Sequence, residues 1–122
     1  MAPPSPLGRL ARDEEFRRVY REGARRANTL VVIHARPNGL DSVRLGVAVG
    51  RRFGRAVERN RLRRRLREAV SANRTRIVVG VDLVVVPRPA AATAAFAAIR
   101  DSVKATLAAA GVLGRTDDGS TQ

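Results

Sequence analysis

Apolar residues recur at helical spacing in three stretches of the chain, and at alternating or consecutive positions in three others. In the first stretch Phe16, Val19 and Tyr20 fall at i, i+3 and i+4 while Arg17, Arg18 and Arg21 point elsewhere, which predicts a short helix from about Glu14 to Glu22. Asp13 stands in the capping position, Glu14 and Glu15 complement the positive end of the helix dipole, and Gly23 supplies a stop. Thr29 to Ala35 is β-branched and apolar. A Pro37-Asn38-Gly39 turn separates it from Val43 to Val49, so the two segments read as adjacent strands of an antiparallel hairpin. In the second of them Val43, Leu45, Val47 and Val49 alternate with Arg44, Gly46, Ala48 and Gly50, which leaves one face nearly bare and suited to be a ligand floor.

A second helical pattern follows, with Leu62, Leu66, Ala69 and Val70 on one stripe and Asn60, Arg63, Arg64 and Arg67 facing away from it. Val81 to Val86 is apolar except for Asp82 and is closed by Pro87-Arg88-Pro89, the signature of an interior strand. The alanine-rich stretch from about Ala91 to Ala110 carries Phe96, Ile99, Val103 and Leu107 at helical spacing and ends at Gly111. The order helix, strand, strand, helix, strand, helix predicts an α/β (α+β) sandwich. Its small mixed sheet packs against three helices, with the basic helix in the crossover between two strands. Residues 1–9 read as a flexible N-terminal segment, residues 10–113 as the single domain and residues 114–122 as a disordered tail without apolar residues.

Composition narrows the picture. At 122 residues there is room for one small domain, and the absence of cysteine removes disulfides and thiolate metal sites, in keeping with a cytoplasmic protein. Met1 to Leu10 is proline-rich and lacks the apolar run of a signal peptide or membrane span, so a soluble protein with no membrane association is expected. The formal net charge is +13, and of 24 basic residues only Lys104 is a lysine. Nine arginines against one acid, Glu58, place +8 of that charge between Arg51 and Arg67. Arg59, Arg63 and Arg67 repel one another at i, i+4 spacing on the helix, so a partner that neutralises them is the natural compensation. The pattern points to a folded surface that grips a polyanion, nucleic acid first.

Catalytic chemistry is thinly represented. There is one histidine, no glycine-rich phosphate loop before a helix, and no pair of histidines at ligand spacing. Glu14-Glu15 and Asp117-Asp118 are adjacent carboxylates, but consecutive helical residues diverge by about 100° and the second pair lies in the tail, so capping and solvation account for them. His34 reads either as a partly buried polar residue at a sheet edge or as a ring that stacks on a nucleotide. Phe16 and Tyr20 read either as core or as a base platform.

The arginine block carries a specific resemblance. Phe53, Ala56, Arg59-Asn60-Arg61-Leu62-Arg63-Arg64 and Leu66-Arg67, with their spacing, are similar to the arginine-asparagine-arginine signature of the bacterial ribonuclease P protein subunit. Glu15-Phe16-Arg17-Arg18-Val19-Tyr20-Arg21-Glu22-Gly23, Arg44-Leu45-Gly46-Val47-Ala48-Val49 and Asp82-Leu83-Val84-Val85-Val86-Pro87-Arg88-Pro89 resemble the family's first helix, the strand before the motif and the strand leading to the last helix. The resemblance spans Leu10 to about Leu113.

It implies a protein that pairs with a large catalytic RNA to remove the 5′ leader of precursor tRNA. The RNA would do the chemistry and hold most of the magnesium; the protein itself would supply no catalytic residue or metal ligand and need no obligate protein partner. It also implies a left-handed crossover, against the usual handedness. Arg51, Arg52, Arg55, Arg59, Asn60, Arg61 and Arg64 would meet the catalytic RNA. Phe16, Tyr20 and His34 would line a leader cleft with Arg63 and Arg67 at its basic edge. His34 stands where similar proteins commonly have tyrosine, which implies altered leader affinity. Two other classes compete: a general structural or ribosomal-type RNA-binding protein, and an autonomous metal-dependent nuclease.

Overall fold

The computed structural model describes residues 7–114 apart from residue 79. The elements run β1 (Gly8–Arg9), α1 (Asp13–Glu22), β2 (Ala24–Ala27), β3 (Val31–Pro37) and β4 (Val43–Val47), then a 3-10 turn (Arg51–Phe53) and α2 (Ala56–Ser71). They end with β5 (Val81–Pro87), a second 3-10 turn (Pro89–Ala92) and α3 (Phe96–Ala109). The α+β architecture with three α-helices on a mixed sheet is the one the sequence predicts, but the pairing differs. The strand order is β1-β4-β5-β3-β2. β3 and β4 form no hairpin: β5 lies between them, antiparallel to β3 and parallel to β4. The apolar run of β5 explains this, since Leu83, Val84 and Val85 are fully buried and only the centre of the sheet covers both strand faces. The crossover from β4 to β5 contains α2.

Two edge strands have no counterpart in the predicted order. Gly8–Arg9, assigned to the N-terminal segment, pairs in parallel with β4, and Ala24–Ala27 pairs antiparallel with β3. All four residues of β2 are exposed, so its sequence carries no burial alternation to reveal it. The tail, from residue 115 on, lies outside the described residues.

Alternation along each strand sorts side chains between two layers. Ile33, Leu45, Leu83 and Val85 face α2 and α3, where they pack with Leu62, Leu66, Ile99, Val103 and Leu107. Val84 faces the opposite side and packs with Leu10 and Val19, with Phe16 and Val86 against them. α1 thus covers one face of the sheet while α2 and α3 cover the other. All four residues of the predicted α2 stripe are buried. The alanine-rich segment is broken: a 3-10 turn at Pro89–Ala92 precedes α3, which begins at Phe96. Gly111 ends α3 with φ of 77°, the left-handed position that favours glycine. No helix among the described residues is long and apolar enough to cross a membrane.

The start of α1 is capped differently from expectation. Asp13 is its first helical residue; Glu15 performs the capping, its Oε1 accepting the backbone N–H of Ala11 at 2.9 Å and of Arg12 at 3.1 Å. Gly23 stops the helix through close approach, because a Cβ there would stand 2.5 Å from the Val19 carbonyl oxygen and 2.9 Å from that of Ala35. Arg44 anchors the same helix end to the sheet. Its guanidinium donates to both carboxylate oxygens of Asp82, at 2.8 and 2.7 Å, and to Glu15 at 3.2 Å. Asn38 donates to Asp82 from the other side at 2.8 Å.

Candidate nucleic-acid interface

The bare face of β4 is filled from within. Phe16 lies over Gly46, where a Cβ would stand 2.5 Å from its Cζ, so the small residue makes room for an aromatic ring and does not itself form an open floor. The opening lies farther along the strand. There a cavity of about 740 Å³ lies between α1 and the C-terminal ends of β4 and β5. Phe16, Arg17 and Tyr20 form its α1 wall, Val47 to Gly50 and Val86-Pro87 its base, and Arg52, Phe53 and Arg63 its far side. Arg17 belongs to this lining although its position sets it off the apolar stripe; it stands next to Phe16 and one turn before Tyr20, which is the signal that periodicity alone underweights.

The aromatic pair divides its roles. Phe16 is half-buried and packs against the small core under α1, while Tyr20 is 40% exposed. His34 meets Tyr20 edge-on, with ring centroids 4.8 Å apart and planes at 85°. Its Nδ1 is buried without a hydrogen-bond partner, and burial together with the Arg25 cation across the β2–β3 pair holds its pKa below the ordinary imidazole value. His34 therefore supports Tyr20 from behind and is not part of the cavity lining. Arg67 is also outside the lining: it is half-buried beside Arg9, and burial and that neighbouring cation lower its pKa.

The arginine block forms the adjoining surface. The 3-10 turn presents Arg51 and Arg52 to solvent, and Arg55, Asn60, Arg61 and Arg64 are exposed on the first half of α2. Arg59 is half-buried, with its Nε lacking a partner. Glu58 is occupied locally, accepting the Arg55 backbone N–H at 2.7 Å, and Gly54, with φ of 111°, clears the space for its carboxylate. Among the described residues no arginine of the block forms an ion pair, whereas Arg18, Arg21, Arg36 and Arg44 each have a carboxylate partner. One hydrogen bond joins the two surfaces: Arg63, in the cavity wall, donates to Asn60 Oδ1 at 2.7 Å. An uncompensated cationic helix thus runs directly into an aromatic-lined cleft, an arrangement suited to a single strand of nucleic acid.

Comparison with known proteins decides the family. The Ribonuclease P family model matches residues 6–111. The chain belongs to the ribonuclease P protein family. It is 40% identical over 114 residues to the ribonuclease P protein component of Roseiflexus sp. (strain RS-1), covering 93% of each chain. It is 45% identical over 80 residues to that of Thermotoga maritima, covering 66% of this chain and 67% of the relative. Among solved structures, Staphylococcus aureus RNase P protein superposes with a TM-score of 0.81 at 29% identity, covering 89% of this chain and 100% of that one. The RNase P protein from Thermotoga maritima superposes with a TM-score of 0.74 at 35% identity, covering 80% and 92%. As a member of this family the chain is the protein subunit of a ribonucleoprotein endoribonuclease that generates the mature 5′ end of tRNA, and it associates with ribonuclease P RNA and the tRNA substrate.

Proposed function

We propose that the two adjoining surfaces divide the work of the holoenzyme in the cytoplasm. Arg51, Arg52, Arg55, Arg59, Asn60, Arg61 and Arg64 face the catalytic RNA, where the arginines neutralise its phosphates and Asn60 fixes local geometry by hydrogen bonds. The cavity beside α1 takes the unpaired 5′ leader, with Phe16 and Tyr20 meeting bases and Arg63 meeting the backbone. The observation that carries this reading is the continuity of an unpaired arginine face with an aromatic cleft through the Asn60–Arg63 hydrogen bond. His34 acts through Tyr20, holding its ring edge-on, and Arg67 adds positive potential without lining the cleft.

Chemistry at the scissile phosphate is assigned to the RNA. Among the described residues no group of three or more histidine, cysteine, aspartate or glutamate side chains is arranged to hold a metal ion. The carboxylates of Glu15, Glu22 and Asp82 are engaged by arginines, so these groups do not fit a resident magnesium ion, and the holoenzyme's magnesium belongs to the RNA on this reading.

The test is cleavage of a 5′-extended precursor tRNA at low magnesium by the cognate RNA, with and without the protein. Binding of the same precursor is compared with binding of a leaderless tRNA. Stimulation that requires both RNA and protein, together with tighter binding of the extended substrate, is expected. Equal affinity for both substrates would remove the leader assignment.

A further inference from the structure

A second cavity, of about 290 Å³, opens on the other flank of Phe53, between α2 and the 3-10 turn that follows β5. Phe53 is shared: it lines this cavity and the larger one beside α1. Leu62, Ala91 and Ala92 join Phe53 as the apolar part of its lining, and Glu58, Arg61 and Arg65, at the i, i+3 and i+7 positions of α2, form the charged part. Arg61 and Arg65 have no ion pair or side-chain hydrogen bond among the described residues. Glu58 uses Oε1 for the Arg55 N–H. The volume lies near the lower end of small-molecule pockets, about 300 to 1,000 Å³, and is sufficient for one flat ring system.

We propose that this cavity binds a single unpaired nucleotide of the ribonuclease P RNA. Its base enters against Phe53, Leu62 and Ala92, and its phosphate is held by Arg61 and Arg65. The chemistry selects the ligand class. A slot with apolar residues beside an aromatic ring suits an unstacked base, two guanidinium groups in its lining suit a phosphate, and a carboxylate wall accepts from an exocyclic amine. Adenine, cytosine and guanine carry that amine and uracil does not, so Glu58 favours an amino-bearing base. The site shares Phe53 with the cavity beside α1 and opens on its other flank, and it rests on the reading that α2 faces the RNA subunit.

Two variants approach the site from different directions. Ala92→Leu fills the slot without removing charge; Arg65→Gln leaves the slot open and removes one cation. Affinity for the RNA subunit is measured across a salt series, and the RNA in each complex is probed by base-specific chemical modification. Both variants are expected to weaken binding by roughly tenfold. The salt slope should stay unchanged for Ala92→Leu and become shallower for Arg65→Gln, because only the second releases fewer counterions. One unpaired, amino-bearing nucleotide, protected in the wild-type complex, should become reactive in the Ala92→Leu complex, and its replacement by uridine should weaken wild-type binding.

Wild-type affinity in both variants, or an unchanged modification pattern, overturns the site. Arg64→Ala separates the two levels of the argument. If it weakens RNA binding while Ala92→Leu and Arg65→Gln do not, the nucleotide site fails and the RNA face stands. If all three bind as wild type, the RNA face itself fails. Thermal melts of each variant show whether Ala92→Leu has disturbed the fold, and if it has, the modification pattern of the Arg65→Gln complex decides.

Discussion

The ring of Phe16 occupies the space a side chain at position 46 would need: a Cβ on Gly46 would stand 2.5 Å from Phe16 Cζ and 2.6 Å from Cε2. The first helix is set at this height above the sheet by a missing side chain, and the depth of the cavity beside α1 follows from it. Gly46→Val is expected to cost about 1 to 3 kcal/mol through overpacking and to push Phe16 out of place. Thermal melts should fall, and affinity for 5′-extended precursor should fall more than affinity for the RNA subunit. A melt and a leader affinity equal to wild type would show that Phe16 has another seat.

Arg63 is held by Asn60, and the bond is exposed. Asn60→Ala frees the guanidinium without changing charge, so the expected loss is modest, about 0.5 to 1.5 kcal/mol. It should appear in leader-dependent binding, measured as the ratio of affinities for extended and leaderless tRNA. A loss confined to RNA-subunit binding would place the role of Asn60 wholly on the other surface.

Leu66 is fully buried between α2 and the sheet. Leu66→Ala should destabilise the fold by about 2 to 5 kcal/mol. Arg64, exposed on the same helix, should weaken RNA binding when replaced by alanine and leave the denaturant midpoint unchanged. The pair tests the orientation of α2, since the opposite outcome would require the helix to be rotated.

Asp82 is the hub between Arg44 and Asn38. Burial works to raise its pKa, but the hydrogen bonds and the charge of Arg44 prevail and hold it below the ordinary 3.8; Glu15 is held below 4.5 by the backbone N–H groups of Ala11 and Arg12, with Arg44 adding to the effect. In both cases the unfolded chain takes up the proton first as pH falls. The stability these groups contribute is therefore complete above about 4.5 and is lost as pH drops through the folded-state values. Asp82→Ala should cost about 3 kcal/mol at neutral pH, because it leaves the partly buried Arg44 with Glu15 as its one carboxylate partner among the described residues and takes from Asn38 its acceptor. It should also flatten the acid limb of the stability curve. An acid limb identical to wild type would move the linkage to other carboxylates.

His34 titrates in a separate window. Its pKa is lowered from the ordinary 6.5 by burial and by Arg25, so the unfolded state binds the proton first here too, and stability declines as pH falls below 6.5. His34→Phe should remove this decline while keeping a ring beside Tyr20. Melting curves between neutral and mildly acidic pH measure it directly. If the decline persists in the variant, His34 is not its source.

How much of this was legible depends on where each residue's signal resides. Leu62, Leu66, Ala69 and Val70 declare α2 because one side of that helix is buried and the other is charged. Val81 to Val86 declares an interior strand for the same reason. The sequence suggests a β3–β4 hairpin that the fold does not form, because a turn of proline, asparagine and glycine describes only local geometry, whereas β5, nearly forty residues farther on from β4, competes for both edges. β1 and β2 lie at the rims, where Gly8, Arg9, Arg25 and Arg26 show no alternation. In the cleft, Phe16 and Tyr20 were visible as an aromatic pair. The supporting position of His34 and the displacement of Arg67 toward Arg9 depend on the packing of separate elements and leave no mark on spacing. Ala91 and Ala92 as cavity wall were hidden because nothing marks an alanine as functional.

Among the described residues β5 is the last strand along the chain and the middle strand of the sheet. During synthesis the arginine helix therefore emerges before the strand that joins β4 to β3. Until Val81 to Pro87 have emerged, the earlier strands have no common neighbour, and the leucine face of α2 has no complete surface on which to settle. The pairings at the sheet's centre therefore form only after residues 81–87 have emerged, a non-local closure of the kind that slows folding. Chains that stop short of residue 81 would carry most of the positive charge without the scaffold that orders it.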